Sequence, residues 1–327
     1  MNALRQDTPV THVRESSFGG FNHIEFLAMG TSNEVVFSAE SASMAAAFRD
    51  DMFEWLDAFE RRVSRFRTDS LVSEINREAG GGWITVDSET EELLALCDWF
   101  HWKTRGIFDP STLPLTELWN SAARQDRLPP SLEVARTRSL TGWSRFQREP
   151  GRVRLPHRGM ALDMGGIGKE YAVDKVVALA RRHGVSSAMV NFGRDIRAFG
   201  HPPEGGPWRI GLERPGDTDS CWCGVMLDDR AICGSGTYAR GFDLAGLHYG
   251  HILDPRTGWP ADSGCRASWA VAPSCTEAGI FSTTAIILGA EEGIRLMDGA
   301  WRAAGCIWTD AGAHYSRRFH ELLIQAQ

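Results

Sequence analysis

The run Asp163-Met164-Gly165-Gly166-Ile167-Gly168-Lys169-Glu170-Tyr171 constrains this chain more than any other segment. Its three glycines stand at the mouth of a helical pattern that starts at Gly168 and is stopped by Gly184. Glycine lets a backbone turn sharply and approach a partner closely. A glycine turn feeding a helix also gathers unpaired N–H groups at the positive end of the helix dipole, which suits a phosphate. The spacing excludes a Walker A loop. That loop needs Gly five residues before its Gly-Lys pair and Ser or Thr after it; here those positions hold Asp163 and Glu170. The plainer reading is a turn that packs a helix on a strand. Lys169 then either neutralises phosphate or lies in solvent, and Glu170 is expected at the surface.

A second run, His251-Ile252-Leu253-Asp254-Pro255-Arg256-Thr257-Gly258, puts an imidazole, a carboxylate and a guanidinium around a rigid proline turn. Neutral imidazole can take a hydroxyl proton near pH 7. Asp254 and Arg256 read as an internal ion pair that fixes the turn.

Alternation and β-branched content predict strands over 22–29, 34–38, 186–192, 208–213, 224–227, 230–233 and 268–271. Helices are expected over 41–66, 168–183, 276–288 and 291–297. In the first of these Met44, Phe48, Met52, Leu56, Phe59 and Val63 repeat at three and four residues and form one apolar face. Ser88 with Glu91 reads as a capping box that opens a further helix. Residues 120–151 look like an excursion without periodicity, and residues 1–20 like a flexible arm ahead of a single domain over 21–327. Antiparallel-looking strand groups separated by helices point to an α+β fold, with mixed or antiparallel sheets and helices on their faces.

Composition is that of an ordinary globular protein, 43% hydrophobic and 24% charged. A net charge of -7 with no basic stripe argues against a nucleic-acid partner. No run of 18 apolar residues is present, so no membrane span is expected. Seven cysteines, an odd number, suit reduced thiols better than a disulfide framework. With no apolar h-region near residue 1, this predicts a cytoplasmic protein.

Several short segments fall in the order of one known family. They are Met29-Gly30-Thr31, Ser64-Arg65-Phe66 with Asp69-Ser70 and Ile75-Asn76, Phe108-Asp109-Pro110 with Leu113-Pro114-Leu115 and Trp119, and Asp163 through Asp174. Val190-Asn191-Phe192-Gly193 with Asp195-Ile196-Arg197 follows, then Ser235-Gly236 with Tyr238 and Arg240 ahead of His251. Together they resemble the FAD:protein FMN transferases, the ApbE-type flavin transferases. The stretch from Asp163 is similar to that family's D-L-G-G-I-A-K-G-Y-A-V-D. Departures are Gly279, where the family usually carries a metal-binding Asp four residues before Thr283, and Ser282, Arg194 and Gly250 at milder positions.

The resemblance implies two interleaved lobes with a flavin cleft between them. It implies transfer of FMN from FAD to a Ser or Thr hydroxyl of an acceptor flavoprotein, with release of AMP and with His251 as the base. FAD contacts would come from Met29, Phe66, Ile107, Phe108, Asp109, Asp163, Gly165, Gly166, Lys169, Tyr171 and Ile252. Asp109 would receive a ring edge or simply cap its turn. Mg²⁺ would be held by the Gly168 carbonyl and Thr283, weakly because Gly279 offers no carboxylate; an Asp restored there would strengthen the site. The alternative is an FAD-binding protein of the same fold that has lost the transfer or hydrolyses FAD to FMN and AMP.

Overall fold

Strands that alternate apolar and polar residues bury one face, and those apolar throughout bury both. The segment Val35-Val36-Phe37 is of the second kind, with all three residues buried. It lies inside a nine-stranded sheet in a computed structural model that describes residues 10–215, 217–237, 240–244 and 246–324. The spatial order is Thr11–Phe18, Phe21–Ala28, Thr31–Ser38, Ala188–Phe192, Asp195–Phe199, Arg230–Gly236, Cys265–Ala272, Ala304–Thr309 and Gly312–Tyr315. Every neighbouring pair is antiparallel. The α+β expectation holds.

Residues 1–9 of the expected arm lie outside the described residues, as does Tyr238. Thr11–Phe18, however, is one edge strand of the sheet, paired with Phe21–Ala28. Its side chains are exposed almost throughout, so it carries no apolar alternation from which it could be read.

The described helices are α1 Ala42–Val63, α2 Leu71–Arg77, α3 Ser88–Lys103, α4 Leu113–Gln125, α5 Ser131–Arg138, α6 Gly168–Arg182, α7 Cys275–Leu288 and α8 Ala290–Asp298. None is long and apolar enough to cross a membrane. Two expectations need correction. The α3 cap is Asp87, one residue earlier than Ser88, and its carboxylate accepts from the Thr90 N–H at 2.8 Å. The supposed excursion contains the end of α4, all of α5 and a strand at Gln147–Glu149. Arg- and Pro-rich composition hid short elements that bury few residues.

The chain divides into two compact units of interleaved segments. The first comprises Met1–Glu60, Ile167–Gly236 and Gly264–Gln327; the second comprises Arg61–Gly166 and Thr237–Ser263.

In the first unit α1 buries Phe48, Met52, Leu56 and Phe59, the middle of the apolar stripe expected of it, while Met44 and Val63 at its ends are partly exposed. Phe48 meets Phe37 of the sheet edge-on at 4.8 Å. α7 is apolar nearly all round and buried accordingly. It packs on α6 and on the strands Arg230–Gly236 and Cys265–Ala272. A buried helix start needs partners for its free N–H groups. The Asp174 carboxylate on α6 supplies them, accepting from the Cys275 N–H at 2.8 Å and the Thr276 N–H at 2.9 Å while pairing with Arg197 at 2.6 Å. Asp174→Asn keeps the shape and removes the charge. It is expected to cost about 1–2 kcal/mol, read as a lower urea midpoint with unchanged m-value.

In the second unit Trp119 of α4 stacks on Tyr249 at 6.0 Å and meets Trp259 at 5.1 Å. Its indole N–H donates to the Gly258 carbonyl at 2.8 Å. One aromatic side chain thereby fixes the turn that follows His251.

Candidate active site

The residues expected to act gather in two constellations, one in each unit. In the second unit Asp163 is already engaged. Its carboxylate pairs with Arg65 at 2.9 Å and accepts from the Gly165 N–H at 2.8 Å. The Arg65 guanidinium also lies 4.1 Å from the centre of the Phe66 ring. Phe66 is 42% exposed, a large aromatic left facing water. The open flank of Gly166 faces Phe108, whose ring edge would stand 3.9 Å from an added Cβ. Asp109 acts as a cap. It accepts from the Ser111 N–H at 2.8 Å and the Trp143 N–H at 3.0 Å, so the capping alternative is the one its contacts display. Ile107 and Ile252 are buried.

His251 is exposed and makes one described hydrogen bond, Nδ1 to the Arg240 carbonyl at 3.2 Å. A carbonyl only accepts, so this bond requires the proton on Nδ1 and leaves Nε2 as a free acceptor. Although the residue as a whole is exposed, the protein around its ring withholds enough water to lower its pKa below 6.5. The Arg240 carbonyl opposes that shift, and the Arg240 and His248 charges add to it. Asp254 is buried and grips Arg256 at 2.8 Å, as expected of an internal pair.

In the first unit two expectations fail together. Lys169 neither lies in solvent nor stands free for phosphate: it pairs with the buried Asp195. Burial alone would lower its pKa, but the Asp195 and Glu170 charges outweigh that and hold it above the ordinary value. Glu170 is not at the surface. It is 8% exposed, and its Oε2 is buried with no hydrogen-bond partner. Burial pushes its carboxyl pKa up, with the Asp195 charge adding and Lys169 opposing.

Gly279 explains how Glu170 fits. A Cβ built on Gly279 would stand 2.5 Å from Glu170 Cγ and 2.8 Å from its Oε1. The space beside α7 that a 279 side chain would need is filled by the Glu170 carboxylate. One turn along α7, Thr283 shares that face. Its hydroxyl lies 2.9 Å from Ser235 Oγ, which lies 2.8 Å from Ser282 Oγ. Ser282 donates to the Gly279 carbonyl at 3.0 Å. Each hydroxyl has one proton. With the Ser282 proton committed, Ser235 must donate to Ser282 and Thr283 to Ser235. The lone pairs of Thr283 Oγ1 remain for another ligand.

Among the described residues no three His, Cys, Asp or Glu side chains converge on a metal. An ion here would need hydroxyl, carbonyl and substrate oxygens with a single carboxylate, which are donors that suit Mg²⁺. The orphaned Glu170 oxygen and the free Thr283 lone pairs fit that demand.

The remaining expected contacts separate. Tyr171 is 2% exposed and stacked on Phe59 at 5.5 Å. Met29 sits with Gly30 in the hairpin turn between Phe21–Ala28 and Thr31–Ser38, both at positive φ, and its N–H donates to Glu60 at 2.5 Å. Gly168 opens α6 and is buried. Nothing in the local sequence marks Glu170, Ser235 or Asp195 as site residues. The available signal was a pair of opposite departures: Glu170 stands where the family pattern has Gly, and Gly279 where it has Asp.

The sequence model of the ApbE family matches residues 29–307. The FAD:protein FMN transferase of Treponema pallidum (strain Nichols) is 31% identical over 290 residues, covering 83% of this chain and 80% of its own. Among solved structures, the flavin transferase ApbE from Vibrio cholerae matches with a TM-score of 0.83 at 25% identity, covering 95% of this chain and 100% of its own. The ApbE protein of Thermotoga maritima matches with a TM-score of 0.84 at 27% identity, covering 93% and 100%.

Proposed function

The chain belongs to the ApbE family, and we propose that it transfers FMN from FAD to a Ser or Thr hydroxyl of an acceptor protein, releasing AMP. The observation that carries the chemistry is the His251 tautomer: Nδ1–H held by the Arg240 carbonyl, Nε2 open. In the reaction the acceptor hydroxyl oxygen forms a bond to the phosphorus nearer riboflavin. The bond from that phosphorus to the bridging oxygen breaks, its electron pair leaves with AMP, and the hydroxyl proton passes to His251 Nε2.

The exposed Phe66 and the half-buried Phe108 would pack on flat rings of FAD. Backbone N–H groups of the Gly165–Gly166 turn would face its phosphates. A divalent cation, Mg²⁺ in this reading, would be held by Thr283 with the Gly168 carbonyl and would offset charge on the pyrophosphate. A cytoplasmic location is part of the same reading, supported by an odd number of cysteines, seven, which suits reduced thiols.

Incubation with FAD, Mg²⁺ and an acceptor protein, followed by intact mass of the acceptor, tests this. The acceptor is expected to gain one FMN. Unmodified acceptor with AMP released would mean hydrolysis instead. A saturable change in flavin fluorescence with neither product would mean a binding protein, and no saturable change would remove all three readings.

A further inference from the structure

We propose that the Glu170 carboxylate is itself a ligand of a divalent cation, seated beside Thr283 in the notch that Gly279 leaves in α7. A carboxylate oxygen buried without a partner costs free energy, so a fold that keeps one has a use or a partner for it. Lys169, next to it in sequence, is taken by Asp195 and is not that partner. The carboxylate is aimed at α7: Oε1 lies 2.8 Å from where a 279 side chain would begin. It therefore occupies the α7 face on which Thr283 stands one turn further on, with oxygen lone pairs spare. Carboxylate and hydroxyl oxygens are the donors a hard cation takes.

Two substitutions that look like losses then become one relocation. An acidic side chain at 279 would reach the notch from α7; Glu170 reaches the same notch from α6. With Glu170 in the notch, glycine at 279 fits, because a Cβ there would meet the Glu170 side chain at 2.5 Å and force it to shift. The inference rests on the proposed transferase reading for the identity of the cation, but not for its existence.

Mn²⁺ alone is the probe, its uptake followed by loss of the free-ion EPR signal on the full chain. The wild type is expected to take up one Mn²⁺. Glu170→Gln keeps the shape without the charge and is expected to weaken uptake by about tenfold or more. Glu170→Ala, which only removes atoms from the notch, serves the same purpose if the Gln variant does not fold. The exchange Glu170→Gly with Gly279→Asp should recover uptake, since the carboxylate returns to the same place. Wild type that takes up no Mn²⁺, or a Gln or Ala variant that binds it as wild type does, overturns the proposal. So does an exchange variant that folds and stays deficient.

The two readings fail separately. If uptake depends on Glu170 but no FMN reaches an acceptor, the activity falls and the cation site stands. If FMN is transferred while Glu170→Gln binds Mn²⁺ normally, only the cation assignment falls.

Discussion

Replacing His251 by alanine is expected to slow FMN transfer by about 10²–10⁴-fold, the range a positioned proton acceptor contributes. FAD binding should survive, because His251 touches only the Arg240 carbonyl among its described hydrogen bonds and the flat apolar contacts lie elsewhere. The pH profile adds a readout that a merely structural histidine would not move. A base acts when neutral. Its pKa is lowered from 6.5 by loss of hydration, with the Arg240 and His248 charges adding. In wild type kcat/KM should therefore be flat near neutrality and fall as pH drops through a value below 6.5. The alanine variant should lose that acid limb along with the rate. Equal rates for the two proteins, or an unchanged acid limb in the variant, would take the base role from His251.

Local sequence carried the fold where burial is periodic. The α1 stripe from Phe48 to Phe59 and the strand Thr31–Ser38 bury what their spacing says they should. It failed where burial is absent or polar. Thr11–Phe18 pairs through its backbone with exposed side chains, so its sequence reads like a free arm. The short helix α5 buries only Val134. Within the site, a local run gave the Asp254–Arg256 pair, closed within two residues; for Asp109 it left a ring edge and a turn cap as alternatives, and its contacts reach both Ser111 and Trp143. Local runs could not give Glu170 or Asp195. The surroundings of Glu170 depend on a glycine 109 positions later in the chain, and those of Lys169 on a strand across a turn. A carboxylate beside a lysine ordinarily reads as a solvated face, and only the opposed departures at 170 and 279 pointed otherwise.

That same pairing reverses what a carboxylate restored at 279 should do. Gly279→Asp alone is expected to destabilise the protein by about 3 kcal/mol or more, not to strengthen a metal site. The new Cβ would meet Glu170 Cγ at 2.5 Å, so the buried Glu170 side chain would have to give up its place beside α7, itself packed between α6 and the sheet. The added carboxylate would also share a dry notch with Glu170, and two like charges there cannot both ionise cheaply. Glu170→Gly by itself leaves an empty notch and an extra helical glycine, a cost of about 1 kcal/mol in propensity. Combined, the two changes should be far less harmful than their sum, because each removes the cause of the other's damage. Urea unfolding of the four proteins in this cycle measures the coupling. Strong positive coupling is expected. Additive effects, or a Gly279→Asp protein as stable as wild type, would mean that Glu170 can leave the notch freely and that Gly279 is not there to admit it.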